Sequence, residues 1–202
     1  TDRQTTKGQS QLYPKRRRNR MRVEFRLSGS GGQGLLLAGI VLAEAAIQEG
    51  MNAVQTQSYG PEARGGSSKA EVVISDSEID YPKATEPDYL LTLSNDAYRS
   101  YGISMKKGII IADASLNIDP PAKVPVVKLP ILDTASKKLG KAVVANMVAL
   151  GVLGGISGVA SPEALREAVR NRVPKGTEEL NIAALEEGLL LAKQAKAQLG
   201  LI

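Results

Sequence analysis

The 202 residues are 43% hydrophobic and 23% charged, with 20 Gly and 10 Pro, which is ordinary usage for a globular chain of about one domain's length. They contain neither Cys nor His, which excludes a disulfide, a thiol nucleophile, a thiolate-held iron–sulfur cluster and an imidazole base or metal ligand. The formal net charge of +5 comes from residues 1–20, which set seven Lys or Arg against Asp2 alone; residues 21–202 hold 19 basic and 20 acidic side chains.

Residues 1–20 are expected to be a disordered basic tail or an extended start ahead of Met21. Residues 15–20 by themselves would suit a nucleic-acid arm, but the body behind them is nearly neutral, and no nucleic-acid partner is expected. Residues 22–27 alternate as a strand, and the glycine-rich stretch 28–34 interrupts it. Residues 35–48 then carry apolar side chains at helical spacing, with Gly50 placed to stop the helix. Strand, glycine loop, helix is the opening unit of a wound α/β domain. A second strand is expected at 52–58, a Gly- and Pro-rich loop at 59–66, and a third strand at 69–75. The connection between these strands is too short for a parallel crossover, so they pair antiparallel and the sheet is mixed.

Strands at 88–93 and 108–113 bracket a short helix at 95–104, and residues 124–128 form a further strand. The remainder is helical, at 133–140, 142–153, 162–172 and 178–199, with Ser161 as N-cap and Pro162 at the first helical position. Two targeting look-alikes fail. Residues 35–45 imitate a signal peptide and its cleavage site, but Glu24, Arg26 and the glycines interrupt the approach. Residues 142–162 carry no charge over 21 positions, the length of a membrane span, yet Asn146, four glycines and the lack of aromatic anchors mark a buried helix running into a glycine turn. The expected fold is a three-layer α/β domain over residues 21–202. Its sheet is mostly parallel but mixed, its start is strand–loop–helix, and its C-terminal part is helical. The chain reads as soluble and cytoplasmic, with no membrane contact.

Three segments could carry chemistry. Gly29, Gly31 and Gly34 match the spacing G-x-G-x-x-G, with Gly32 and Gln33 between them, after a strand and opening a helix. Glycines let the backbone come close to a phosphate, and free N–H groups at the helix start carry partial positive charge. A dinucleotide would also want an acid at the end of the second strand to hold its ribose, and residues 55–58 offer none. The loop can therefore be a dinucleotide site, a site for another phosphate ligand, or a tight turn. The second segment holds Ser58, Tyr59, Arg64, Gly65 and Gly66, on the rim that also carries the glycine loop. Arg64 offers a fixed fork for phosphate or carboxylate, and Gly65–Gly66 can form a concavity of N–H groups beside it. The alternative is a surface loop in which Arg64 pairs with Glu62. The third is Asn146, a polar side chain in an apolar helix, which needs a hydrogen-bond partner in a loop carbonyl, a helix cap or a ligand. Lys69, Asp76 and Asp80 are expected to be solvated charges. No catalytic residue and no metal ligand can be assembled.

Taken together, Gly-x-Gly-Gly-Gln-Gly at 29–34, Ser-Tyr-Gly-Pro-Glu-x-Arg-Gly-Gly at 58–66, Ile79-Asp80-Tyr81-Pro82 and Asn146-Met-Val-Ala-Leu-Gly151 resemble the gamma subunit of 2-oxoacid:ferredoxin oxidoreductases. The resemblance runs in order from about residue 22 to 199 and is nearest to the branch serving 2-oxoglutarate. It implies oxidative decarboxylation of a 2-oxoacid, with coenzyme A and oxidised ferredoxin, to acyl-CoA. Thiamine diphosphate would lie between alpha and beta subunits, with iron–sulfur clusters on other chains, and a delta subunit joins where one is present. This chain would hold no cofactor and catalyse nothing alone. It would help to bind coenzyme A through Gly29, Gly31, Gly32, Gln33, Gly34, Ser58, Tyr59, Arg64, Gly65, Gly66 and Asn146, and help to hold the complex together. The alternative is a free-standing dinucleotide-binding α/β protein.

Overall fold

A computed structural model describes residues 21–59, 66–121 and 123–200. The expected basic tail, together with Arg64 and Gly65, lies outside the described residues. Among the described residues six strands form one sheet: β1 (Arg22–Ser30), β2 (Asn52–Tyr59), β3 (Ser67–Ser75), β4 (Tyr89–Thr92), β5 (Ile109–Asp113) and β6 (Val126–Leu129), in the order β2-β3-β1-β4-β5-β6. β3 runs antiparallel to both β2 and β1, while β1, β4, β5 and β6 are parallel. The mixed sheet expected from the short 59–66 connection is therefore observed.

Period-2 alternation separates the two faces. Phe25, Leu27, Ala70, Val72, Ile74, Leu91 and Ile111 join one core with α1 (Leu35–Gln48), α4 (Ala145–Ser157), α5 (Pro162–Arg172) and α6 (Glu178–Leu199). Leu90, Ile110 and Ala112 point the other way and meet Tyr98 of α2 (Asn95–Tyr101) in a smaller cluster. Three layers result. The predicted N-cap also forms: Ser161 Oγ accepts from Ala164 N at 3.2 Å, ahead of Pro162.

Several boundaries differ from the sequence reading, each for a tertiary reason. β1 continues to Ser30, because Gly29 and Ser30 still find partners in Ser68 and Ser67 of β3. The helix expected at 95–104 stops at Tyr101, and the strand expected at 124–128 is β6, which begins two residues later, behind Pro125, and ends one later. Residues 133–140 do not form one α-helix. A short α3 (Ile131–Asp133), begun after Pro130, widens into a π-helical turn (Thr134–Lys138). The helix expected at 142–153 opens as a 3-10 turn (Ala142–Val144) and runs as α4 to Ser157. Gly154 and Gly155 thus join Gly151 inside the helix, and the glycine turn comes only at Gly158. Glycine normally weakens a helix interior by roughly 1 kcal/mol. Here Gly151 faces Gly188 of α6 so closely that a Cβ on either would strike the other helix's backbone. No helix among the described residues is long and apolar enough to cross a membrane.

Candidate functional site

The register of β3 builds the site. Ser67 and Ser68 lie opposite Ser30 and Gly29 of β1, and Ser68 also lies opposite Tyr59 of β2. The glycine loop and the segment after Tyr59 therefore leave the sheet at the same rim, where Gly66 leads back into β3. Ser58 is exposed at that end of β2, across from Lys69.

Gly31 and Gly32 form the exposed tip of the loop, with open space beside both. Gly32 and Gly34 have φ of 86° and 70°, left-handed conformations that favour glycine. Gln33 does not point outward. Its Oε1 accepts from Ser30 N at 2.7 Å and closes the loop from within. Gly29 has no room for a Cβ because that amide occupies the space. α1 then starts at Leu35 behind Gly34, with no side-chain cap and no acid in its first turn. Its uncapped N–H groups keep their partial positive charge at the rim.

A cavity of about 250 Å³ opens beside this helix start, lined by Gly32, Gln33 and Gly34 and by Gln57, Ser68 and Lys69. The sequence reading missed the last three. Only the antiparallel register carries Ser68 and Lys69 up to the loop, and a single sequence signals pairing without showing register. Lys69 is also not the solvated charge expected. Its Nζ lies 2.9 Å from Glu71 Oε1, which accepts in addition from Arg26 Nε at 2.8 Å. Burial pushes the Glu71 carboxyl up, but hydrogen bonds from Lys69 and Arg26 and their charges outweigh it and hold it below the usual carboxylate value. Two cations on one carboxylate leave this triad with one positive charge in excess. Asp76 and Asp80 are exposed, as expected. A second cavity of about 310 Å³, lined by Arg26, Tyr101 and Lys107 among others, is less suited to an anion. Arg26 is engaged by Glu71, and Lys107 lies near Glu86 and Asp88.

Asn146, left open between a loop carbonyl, a cap and a ligand, donates from Nδ2 to Gly34 O at 3.2 Å and accepts at Oδ1 from Met147 N at 2.9 Å. The first turn of α4 is thereby tied to the glycine loop. A Cβ on Gly34 would come within 2.6 Å of Asn146 Nδ2. Gly34→Ala combines that clash with left-handed strain of about 1–2 kcal/mol. It is expected to lower thermal stability by several degrees; an unchanged melting temperature would mean the loop readily takes another conformation.

No group of three or more acidic side chains that could hold a metal occurs among the described residues. A nucleophile with a base is likewise not assembled among the described residues of this rim. The arrangement can hold and orient an anionic group.

The model of the pyruvate ferredoxin/flavodoxin oxidoreductase family matches residues 24–191. The chain belongs to this family. A 2-oxoglutarate synthase subunit KorC from Methanocaldococcus jannaschii is 47% identical over 184 residues, covering 89% of this chain and 98% of the relative. The crystal structure of a keto/oxoacid ferredoxin oxidoreductase gamma subunit from Geobacter sulfurreducens superposes with a TM-score of 0.79 at 44% identity, over 87% of this chain and 98% of that one. A 2-oxoglutarate:ferredoxin oxidoreductase from Magnetococcus marinus, solved with 2-oxoglutarate, coenzyme A and succinyl-CoA bound, shares the fold. Its TM-score is 0.77 at 23% identity, over 86% of this chain and 31% of that one. The chain is a gamma subunit of the 2-oxoacid:ferredoxin oxidoreductase type, part of an oxidoreductase. The four segments that carried the sequence resemblance all lie within the family match.

Proposed function

We propose that this gamma subunit serves a 2-oxoglutarate:ferredoxin oxidoreductase and holds the phosphate end of coenzyme A at the glycine loop. The observation that carries the reading is the uncapped start of α1, with its left-handed glycines, beside a cavity of about 250 Å³. N–H groups of Gly31, Gly32 and Gly34 meet the phosphate, Lys69 adds charge at the wall, and Ser58 and Tyr59 are assigned to the same site from the end of β2. Arg64, with Gly65 and Gly66, is assigned to the same ligand, because the described residues on either side, 59 and 66, both lie at that rim. The relative solved with coenzyme A and succinyl-CoA bound supports this choice of ligand. So does the 47% identity to a 2-oxoglutarate synthase subunit for the choice of oxoacid.

The chemistry itself belongs to partner chains. With no Cys among its 202 residues, this chain cannot supply thiolates to an iron–sulfur cluster. Thiamine diphosphate and the clusters are assigned to alpha, beta and, where present, delta subunits, through which ferredoxin is reduced. Positioning is the contribution of this chain: it fixes one end of coenzyme A so that the thiol reaches the reacting centre without a diffusional search.

Arg64→Ala provides the test in the assembled complex. A charge-assisted hydrogen bond is worth about 1.5–3 kcal/mol. The apparent coenzyme A constant should therefore rise roughly ten- to a hundredfold, with subunit composition intact. A complex that dissociates more readily while its coenzyme A dependence stays the same would overturn the proposal and make these loops subunit contacts.

A further inference from the structure

We infer that Asn146 is a positioning residue for the glycine loop: by holding the Gly34 carbonyl it aims the first N–H of α1 into the cavity. The inference rests on the reading of that loop as the ligand-binding element. The Asn146 side chain is buried, the residue being 5% exposed in a helix whose neighbours are apolar. Burying an amide in such a place is unfavourable unless its polar atoms are paired. Both are. Oδ1 accepts from Met147 N at 2.9 Å, which fixes the rotation of the side chain on its own helix. Nδ2 donates to Gly34 O at 3.2 Å, which sits 112 residues away in sequence.

The consequence follows from peptide geometry. Gly34 C=O and Leu35 N–H belong to one planar trans peptide and point in opposite directions. Gly34 O already accepts from Ala38 N at 3.3 Å, and Asn146 adds a second donor to the same oxygen. With the oxygen held on two sides, the Leu35 N–H cannot rotate away from the rim. Glycine at φ 70° would otherwise leave this peptide unusually free to turn. At the other end of the loop Gln33 Oε1 holds Ser30 N. Two side-chain amides thus pin the ends of the loop and leave Gly31 and Gly32 exposed between them. Asn146 acts here through the backbone: Nδ2 and Oδ1 are each engaged by a main-chain group, and the residue is 5% exposed.

The test uses the assembled oxidoreductase carrying Asn146→Asp or Asn146→Ala. The aspartate variant keeps the size and the acceptor for Met147 N, loses the donor, and sets a carboxylate against Gly34 O. The alanine variant carries the same readouts should the aspartate variant assemble poorly. Amide hydrogen exchange is followed in residues 30–37, with α5 (Pro162–Arg172) as the control. Exchange in 30–37 is expected to accelerate about tenfold while α5 is unchanged, the scale of one lost hydrogen bond. The coenzyme A KM is expected to rise by a similar factor while kcat changes much less. Exchange in 30–37 that stays unchanged, or that accelerates equally in α5 as in a global loss of stability, overturns the assignment. Faster loop exchange with an unaltered coenzyme A KM supports the positioning role and counts instead against coenzyme A as the ligand of this loop.

Discussion

Replacing Glu71 with Ala is expected to destabilise the folded chain by about 3–5 kcal/mol, the range for breaking a buried ion pair from one side. The Glu71 side chain is 6% exposed and accepts from Arg26 and Lys69 at 2.8 and 2.9 Å. Arg26 donates onward to Ala84 O at 2.7 Å, and both cations lie 5.6 Å from the Tyr101 ring. Neither cation can move freely to water, so removing the carboxylate leaves two like charges facing each other across β1 and β3. Glu71→Gln keeps an acceptor and should lose clearly less. The pH dependence has a definite sign. The folded carboxyl lies below its ordinary value of 4.5, so its stabilisation is present above that pH and is lost as acid carries the protein down through the folded value. Urea titrations of wild type and Glu71→Ala should therefore differ most near neutrality and converge in acid. A variant within about 1 kcal/mol of wild type at neutral pH would show that the face relaxes around the unpaired cations.

Gly151→Ala should be nearly as damaging, although alanine is the better helix former. A Cβ at this position would land on Leu185 O and lie 2.9 Å from both Gly188 Cα and Leu189 N. All three are backbone atoms of α6, so no side-chain rotation relieves the contact and the helices must separate. Propensity favours alanine by roughly 1 kcal/mol. Overpacking against a rigid neighbour costs up to about 3 kcal/mol or more, and each kcal/mol corresponds to about 2–4 °C in a chain of this size. A loss of several degrees is expected in a thermal melt. Gly31→Ala, with nothing within 4 Å of its Cβ, is the control and should leave the melt close to wild type. A Gly151→Ala protein as stable as the control would mean that α4 and α6 are not locked at this crossing.

The pattern of strand, glycine loop and helix was legible because each part is local: alternation over residues 22–27, glycines at the turn, and helical spacing from residue 35. The antiparallel pairing of β2 and β3 was legible for a simple reason, since no crossover fits between residues 59 and 66. Arg64 was singled out by residue type and neighbours alone, and its placement lies outside the described residues. The roles of Lys69 and of Gly154 and Gly155 in α4 were misjudged for one shared reason. A lysine on an alternating strand reads as solvated until its neighbours across the sheet are known, and the glycines of an apolar run read as a turn until a second helix is found against them.

The sequence by itself determined the layer order at the start of the domain, the mixed sheet, the absence of any thiolate or imidazole chemistry, and the family. These depend on residue type and short spacing, which survive without coordinates. Tertiary structure decided the rest: which strand lies beside the glycine loop, where Lys69 finds its counter-charge, and which carbonyl Asn146 holds. Each of these joins residues distant in the chain, through a register, a buried charge or a helix crossing. Such contacts are selected by packing and polar satisfaction across the whole molecule, and no local pattern encodes them.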